Sequence, residues 1–182
     1  PFQYDGLNLL LEQYLGLVFE LRYQGYKYHL LIVFLLNTFD YKGATVIADY
    51  GHNPDAIAAL TTAVEGMPAK RRSVVISGAG DRRDEDITQQ TAILGRVFDD
   101  VLLYEDACQR GRADGEVLGL LRKGLDGAPK TSHVQEIQGE FNAIDTALSR
   151  LNAGDLCLIL IDQVEEALGH IAQRVAEANA KQ

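Results

Sequence analysis

From Phe39 to the end of the chain, apolar and polar positions switch between two periods. Short β-rich apolar runs at 45–48, 73–77, 101–104 and 156–161, with a weaker one at 130–137, predict strands. Between them, apolar residues recur at three- and four-residue steps. Ile87, Thr91, Leu94 and Phe98 share one face of a helix over 86–98. Val117, Leu118, Leu121 and Leu125 form the stripe of a helix over 114–125. Helices are also expected at 55–66, at 141–151 with Gly154 closing it, and at 164–178. Strands alternating with helices of this length predict an α/β fold. It is a Rossmann-like, mostly parallel sheet of about five or six strands with helices on both faces. The run at 156–161 is the most apolar and is expected at the centre.

Residues 1–37 break this pattern. Six of the eight tyrosines lie at or before Tyr41 and four of the six phenylalanines before Asp40, so this stretch would be sticky if left uncovered. Leu7, Leu10, Leu11, Tyr14, Leu15 and Val18 fit one helix face, while 29–34 reads as a strand. The stretch packs on the main domain, contacts another domain, or is not native-like sequence, as a shifted reading frame would give. No chemistry is assigned to it. The expected organisation is an atypical segment over 1–37 and one domain over 38–182.

Composition narrows the function classes. The net charge of −9 argues against nucleic acid as a partner, because phosphate backbones need a basic footprint. A nucleotide needs only a local positive site. Cys108 and Cys157 lie far apart and form no metal pattern, so they read as reduced thiols of a cytoplasmic protein, Cys157 in the core. No apolar run is long enough to span a membrane and no signal peptide is evident. Self-association is left open.

The unusual polar residues cluster just after the strands. Right-handed crossovers put the strand ends Asp49, Gly78, Glu105 and Asp162 on one edge of the sheet. Ligands of open α/β sheets bind at that edge. The first turn, Asp49-Tyr50-Gly51-His52-Asn53-Pro54, holds an acid, a phenol, an imidazole and an amide. Asn53 is a natural helix cap and Pro54 a natural first helical residue; capping does not account for Asp49 and His52. The second loop, from Gly78 to Asp86, begins Gly-Ala-Gly, and its glycines let backbone approach a ligand. Arg83 stands where a dinucleotide fingerprint needs its third glycine, so the signal for NAD is weak. Asp84, Glu85 and Asp86 suit a helix start for dipole reasons alone, whereas Arg82 and Arg83 suit a carboxylate or phosphate. The third loop, from Glu105 to Asp114, is long and charged, with Arg110 and Arg112 either solvated or functional and Asp114 a candidate cap. There is no phosphate-gripping G-x-x-x-x-G-K-[ST] loop, no H-E-x-x-H and no G-x-S-x-G. His133 and His170 read as ordinary surface or core histidines.

These loops carry a resemblance. Asp-Tyr-Gly-His-Asn-Pro-Asp-Ala, from Asp49 to Ala56, resembles the start of the C-terminal domain of the Mur ligase family. The runs Gly78 to Ile87, Tyr104 to Glu116 and Leu158 to Ala167 resemble most closely the Mur-ligase-like module of cyanophycin synthetase. The likeness covers about 39–178. It implies an ATP-dependent amide ligase: ATP phosphorylates a carboxylate, and an incoming amine attacks the acyl phosphate. The implied partners are a central ATPase domain, which would hold most of the Mg²⁺, an amino-acid substrate, arginine in this branch, and a polymer or peptide acceptor. By the same resemblance Asp49 would hold the nucleotide, with His52 and Asn53 on its phosphate side. Asp81 and Arg82 would face the amino-acid or acyl-phosphate region, binding substrate and, with His52, forming the catalytic set. Glu105, Asp106, Arg110 and Arg112 would shape the amino-acid pocket. Two departures follow. Without the P-loop of the central domain the chain alone is expected to be inactive. The family also carries an arginine just before the Phe39 region, where this chain has Leu35-Leu36-Asn37-Thr38. The alternative is a non-catalytic nucleotide-binding or assembly module on the same fold.

Overall fold

Every apolar run of the repeating part becomes a strand in the computed structural model. It describes residues 19–23, 26–30, 37–51, 53–105 and 110–180. The chain divides into two units, Pro1–Leu35 and Leu36–Gln182. In the first, β1 (Phe19–Tyr23) and β2 (Tyr26–Leu30) form an antiparallel ladder from Phe19↔Leu30 to Tyr23↔Tyr26. The strand expected at 29–34 shares residues 29 and 30 with β2, and 31–34 lie outside the described residues. The helix expected over Leu7 to Val18 lies outside the described residues.

The second unit holds β3 (Asn37–Tyr41), β4 (Ala44–Asp49), α1 (Pro54–Glu65), β5 (Arg72–Ile76), α2 (Asp84–Leu94) and β6 (Asp100–Glu105). It continues with α3 (Glu116–Gly124), β7 (His133–Gln138), α4 (Glu140–Arg150), β8 (Leu156–Leu160) and α5 (Val164–Asn179). Six strands lie in the order β3-β4-β8-β5-β6-β7. The pairs β4–β8, β8–β5, β5–β6 and β6–β7 are parallel, and β3 lies antiparallel on the edge beside β4. The most apolar run, β8, is central as its sequence predicts, and all five of its residues are buried.

Strand alternation sorts the core into two layers. Ile47, Val74, Ile76, Val101, Leu103 and Leu158 point to one face, where Ile57 and Leu60 of α1, Ile87 of α2 and Leu121 of α3 cover them. Val46, Val75, Leu102, Cys157 and Ile159 point to the other, under Ile144 of α4 and Ile171 of α5. Each such side chain, fully buried, stabilises the fold by about 1.5–3 kcal/mol. Among the described residues no helix is long and apolar enough to cross a membrane.

Tertiary contacts set several boundaries differently. The sequence pattern did not read 37–41 as a strand; it pairs β4 and buries Tyr41. Helix α2 stops at Leu94 with Gly95 as cap, short of Phe98. Asp114 does not cap α3; Gly115, at φ +81, precedes it, a left-handed conformation that glycine adopts readily. Helix α4 ends at Arg150, and Gly154, at φ +90, turns the chain into β8 rather than closing the helix.

Candidate functional site

Because β4, β8, β5 and β6 run parallel, Asp49, Asp162, Gly78 and Glu105 leave the sheet on one edge. The helices after β4 and β5 cover one face while α5, after β8, covers the other. The chain therefore changes face on either side of β8, which opens a crevice at the carboxyl ends of the strands.

Asp49 ends β4 opposite Leu160, and its carbonyl accepts the Ile161 N–H at 2.9 Å. Its carboxyl is half-buried, and burial pushes its pKa above the ordinary 3.8. Gly51 is packed closely over this acid. A Cβ there would lie 3.3 Å from Asp49 Oδ1 and 3.0 Å from Leu60 Cδ1. Asn53 caps α1, its Oδ1 accepting the Ala56 N–H at 2.8 Å. His52 and Asp106 fall outside the described residues.

The second loop starts at Gly78, where a Cβ would lie 2.7 Å from Val117 Cγ1, so only glycine lets β5 end against α3. The Arg82 N–H closes a turn on the Ala79 carbonyl at 3.0 Å. Asp81 and Arg82 are exposed at the rim. Arg83 does not reach across the loop; it forms a two-pronged pair with Asp86 in the first turn of α2.

The third loop ties the others together. Arg110, at φ +50, extends Nη1 to Asp81 Oδ1 at 3.3 Å and Nη2 toward Asp162 Oδ1 at 3.8 Å. One guanidinium thus bridges turns that follow β5 and β8. Arg112 is largely covered. Its Nε donates to the Gly80 carbonyl at 2.7 Å and its Nη2 to the Arg82 carbonyl at 2.7 Å, with Asp84 and Glu116 completing its shell. That is a brace between loops: its three nitrogens all have protein partners. Glu105 is 5% exposed, and both its oxygens accept the Gly115 N–H, at 3.1 and 2.9 Å. It holds the end of the third loop at the start of α3.

The sequence missed Glu140. It is 1% exposed at the start of α4, and its two oxygens accept the N–H groups of Asp162 and Gln163 at 2.7 and 3.1 Å. A lone acid at a helix start reads from sequence as a dipole partner, and nothing local points to a turn 22 residues away. His133 is exposed on β7, and His170 is held on Asp145 at 2.7 Å. Cys157 is buried and its thiol is pushed up to about 12 by burial, while Cys108 lies outside the described residues.

Chemically the rim offers an exposed carboxylate at Asp81, a partly buried one at Asp162, a loosely held cation at Arg110, a second exposed cation at Arg82 and a half-buried acid at Asp49. Such a set can hold a ligand carrying both charges. Among the described residues no three His, Cys, Asp or Glu are grouped to hold a metal ion.

Comparison with known proteins agrees with this architecture. The model of the Mur ligase glutamate ligase domain matches residues 36–160. Cyanophycin synthetase of Geminocystis herdmanii (strain PCC 6308) is 36% identical over 129 residues, covering 71% of this chain and 15% of that protein. The chain thus spans a small part of the length of that relative. A UDP-N-acetylmuramoyl-L-alanyl-D-glutamate–2,6-diaminopimelate ligase structure superposes with a TM-score of 0.63 at 19% identity, over 76% of this chain and 31% of that one. E. coli FolC in complex with ADP superposes with a TM-score of 0.56 at 23% identity, over 82% of this chain and 32% of that one. These two likenesses concern the fold. With the family match over most of its length, this chain belongs to the Mur ligase glutamate ligase domain family.

Proposed function

We propose that the chain is the C-terminal domain of an ATP-dependent amide ligase of the cyanophycin synthetase type. In the reaction, ATP phosphorylates a carboxylate and yields ADP. The amine of an incoming amino acid then attacks the acyl carbon, the bond to phosphate breaks, and an amide forms as the amine loses a proton. Asp49, beside Gly51, holds the nucleotide at its ribose. His52 and the capped start of α1 at Asn53 line the phosphate side, since a helix N-terminus suits phosphate. Asp81 and Arg82 face the acyl phosphate. Asp106 and Arg110 belong to the amino-acid pocket, while Glu105 and Arg112 shape it by holding its loops.

One observation carries this reading: Arg110 stands between Asp81 and Asp162, so turns from three strand ends meet at one rim. An arginine substrate needs carboxylates for its guanidinium and a cation for its α-carboxylate, and the rim contains both. Mg²⁺ and the phosphate-gripping loop would come from a central domain, since this sequence has no G-x-x-x-x-G-K-[ST]. The chain alone is therefore inactive as a ligase.

Calorimetric titration of the chain with ATP and ADP tests the reading. Weak binding that disappears in Asp49→Ala supports it. No binding by the unaltered chain sinks it in favour of a non-catalytic assembly module; the lack of an arginine at 35–38 weakens the expected ATP affinity. Appreciable ADP release from ATP, arginine and primer by the chain alone would refute its inactivity.

A further inference from the structure

A cavity of about 290 Å³ opens at the opposite, amino edge of the sheet. Ser73 and Leu102 line it from β5 and β6, and Ala147 and Leu151 from the end of α4. Its charges are of both signs. Arg71 and Asp100 neutralise each other in a two-pronged pair at 2.6 and 2.8 Å. Two further charged groups, one buried and one exposed, face it. Asp155 is 8% exposed; its Oδ2 accepts the Asn152 N–H at 2.9 Å and Asn152 Nδ2 at 3.5 Å, and its charge acts on Arg71 across the cavity without a direct ion pair among the described residues. Arg150 donates to the neutral Gln135 Oε1 and likewise has no ion pair among them. The Ser73 hydroxyl is buried beside the Cys157 thiol, a weak partner, and is not itself open to the cavity.

We propose that this cavity binds a small zwitterion with an apolar body, an α-amino acid being the simplest case. Its ammonium lies toward Asp155 and the C-terminal carbonyls of α4, which attract positive charge. Its carboxylate lies toward Arg150 and His133, and its side chain covers Leu102, Ala147 and Leu151. A plain anion meets Asp155, and a plain cation meets Arg150; only a molecule with both charges satisfies both. The cavity is separated from the carboxyl-edge rim by the length of β5, about 16 Å for a strand of this size. The proposal therefore stands independently of the ligase reading.

The test is a ¹⁵N NMR titration of the 182-residue chain with L-leucine. Saturable shifts are expected at the amides of Ser73, Leu102, His133 and Leu151, with Kd on the order of millimolar. Amides of Gly78 and Gly80, at the other edge, stay in place. Acetate and n-butylamine, each with one charge, bind about tenfold more weakly or not at all. Arg150→Ala, an exposed helix-end substitution whose folding is checked by thermal unfolding, weakens L-leucine about tenfold. Non-saturating shifts, acetate binding as tightly as L-leucine, or unchanged affinity in Arg150→Ala each overturn the proposal.

Discussion

The buried carboxylate of Glu140 accepts the backbone N–H of Asp162 at 2.7 Å, fixing the turn after the central strand from the start of a helix two elements away. Glu140→Ala leaves the N–H groups of Asp162 and Gln163 without this acceptor. An orphaned buried donor costs about 1–3 kcal/mol, and at this chain length each kcal/mol lowers Tm by about 2–4 °C. Hydrogen exchange at Asp162 and Gln163 is expected to accelerate in the variant more than exchange in β8. Unchanged protection at those two amides would show that the clamp does not hold the turn.

Arg112→Lys is expected to lower Tm although the charge is kept. A lysine cannot reproduce a planar fork that donates to the Gly80 and Arg82 carbonyls while pairing with Asp84 and Glu116. The loss concentrates in the second loop, so exchange at Arg82 should rise. Equal stability of the two proteins in urea titrations would remove the bracing role.

Asp49 is expected to oppose folding at neutral pH. Burial raises its folded pKa above 3.8, so its contribution to stability is full below the unfolded pKa and is lost as pH rises through the folded one. Asp49→Asn should therefore raise Tm at pH 7 and leave it nearly unchanged at pH 3, while weakening nucleotide binding. A Tm at pH 7 below that of the parent chain would contradict this.

Asp145 works in the other direction. Burial favours its neutral form, but hydrogen bonds from Arg174 at 2.8 Å and from His170 at 2.7 Å outweigh it and hold its pKa below 3.8. Its stabilisation is present above the unfolded pKa and fades as pH falls through the folded one. Asp145→Asn should lower stability at neutral pH and flatten the loss below about pH 4. Parallel acid-unfolding curves for the two proteins would exclude this site as a contributor.

Gly124 meets Gly124→Ala as a backbone clash, because a Cβ there falls on the Thr88 carbonyl oxygen, where α3 crosses α2. Overpacking of this kind costs about 1–3 kcal/mol. A Tm within a degree of the parent would mean that the two helices separate without penalty.

The first loop was legible at its cap, while Asp114 and Gly154 were misread and the acids were obscure. Asn53 before Pro54 announces its cap because both partners lie within one turn, and the bond to Ala56 forms as expected. Glu105 and Arg112 were read with the ligand-facing residues. Their structural partners, Gly115 and Gly80, come together only after β5 and β6 have paired. Strand β3 was missed for a related reason. Its burial pattern is weak, with only Tyr41 buried, and what makes it a strand is the neighbouring edge of β4.

The sequence by itself determined the alternation of strands and helices, the two-layer burial and the clustering of unusual residues after strand ends, because periodicity and turn chemistry act over a few neighbouring positions. Only the tertiary structure decided that β8 slips between β4 and β5 and that Arg110 reaches both Asp81 and Asp162. It also decided that Glu105 and Glu140 are turned inward as clamps while Asp81 stays at the rim. Those choices depend on which chain ends meet in space, and a carboxylate's role is set by the donors it meets there rather than by its neighbours along the chain.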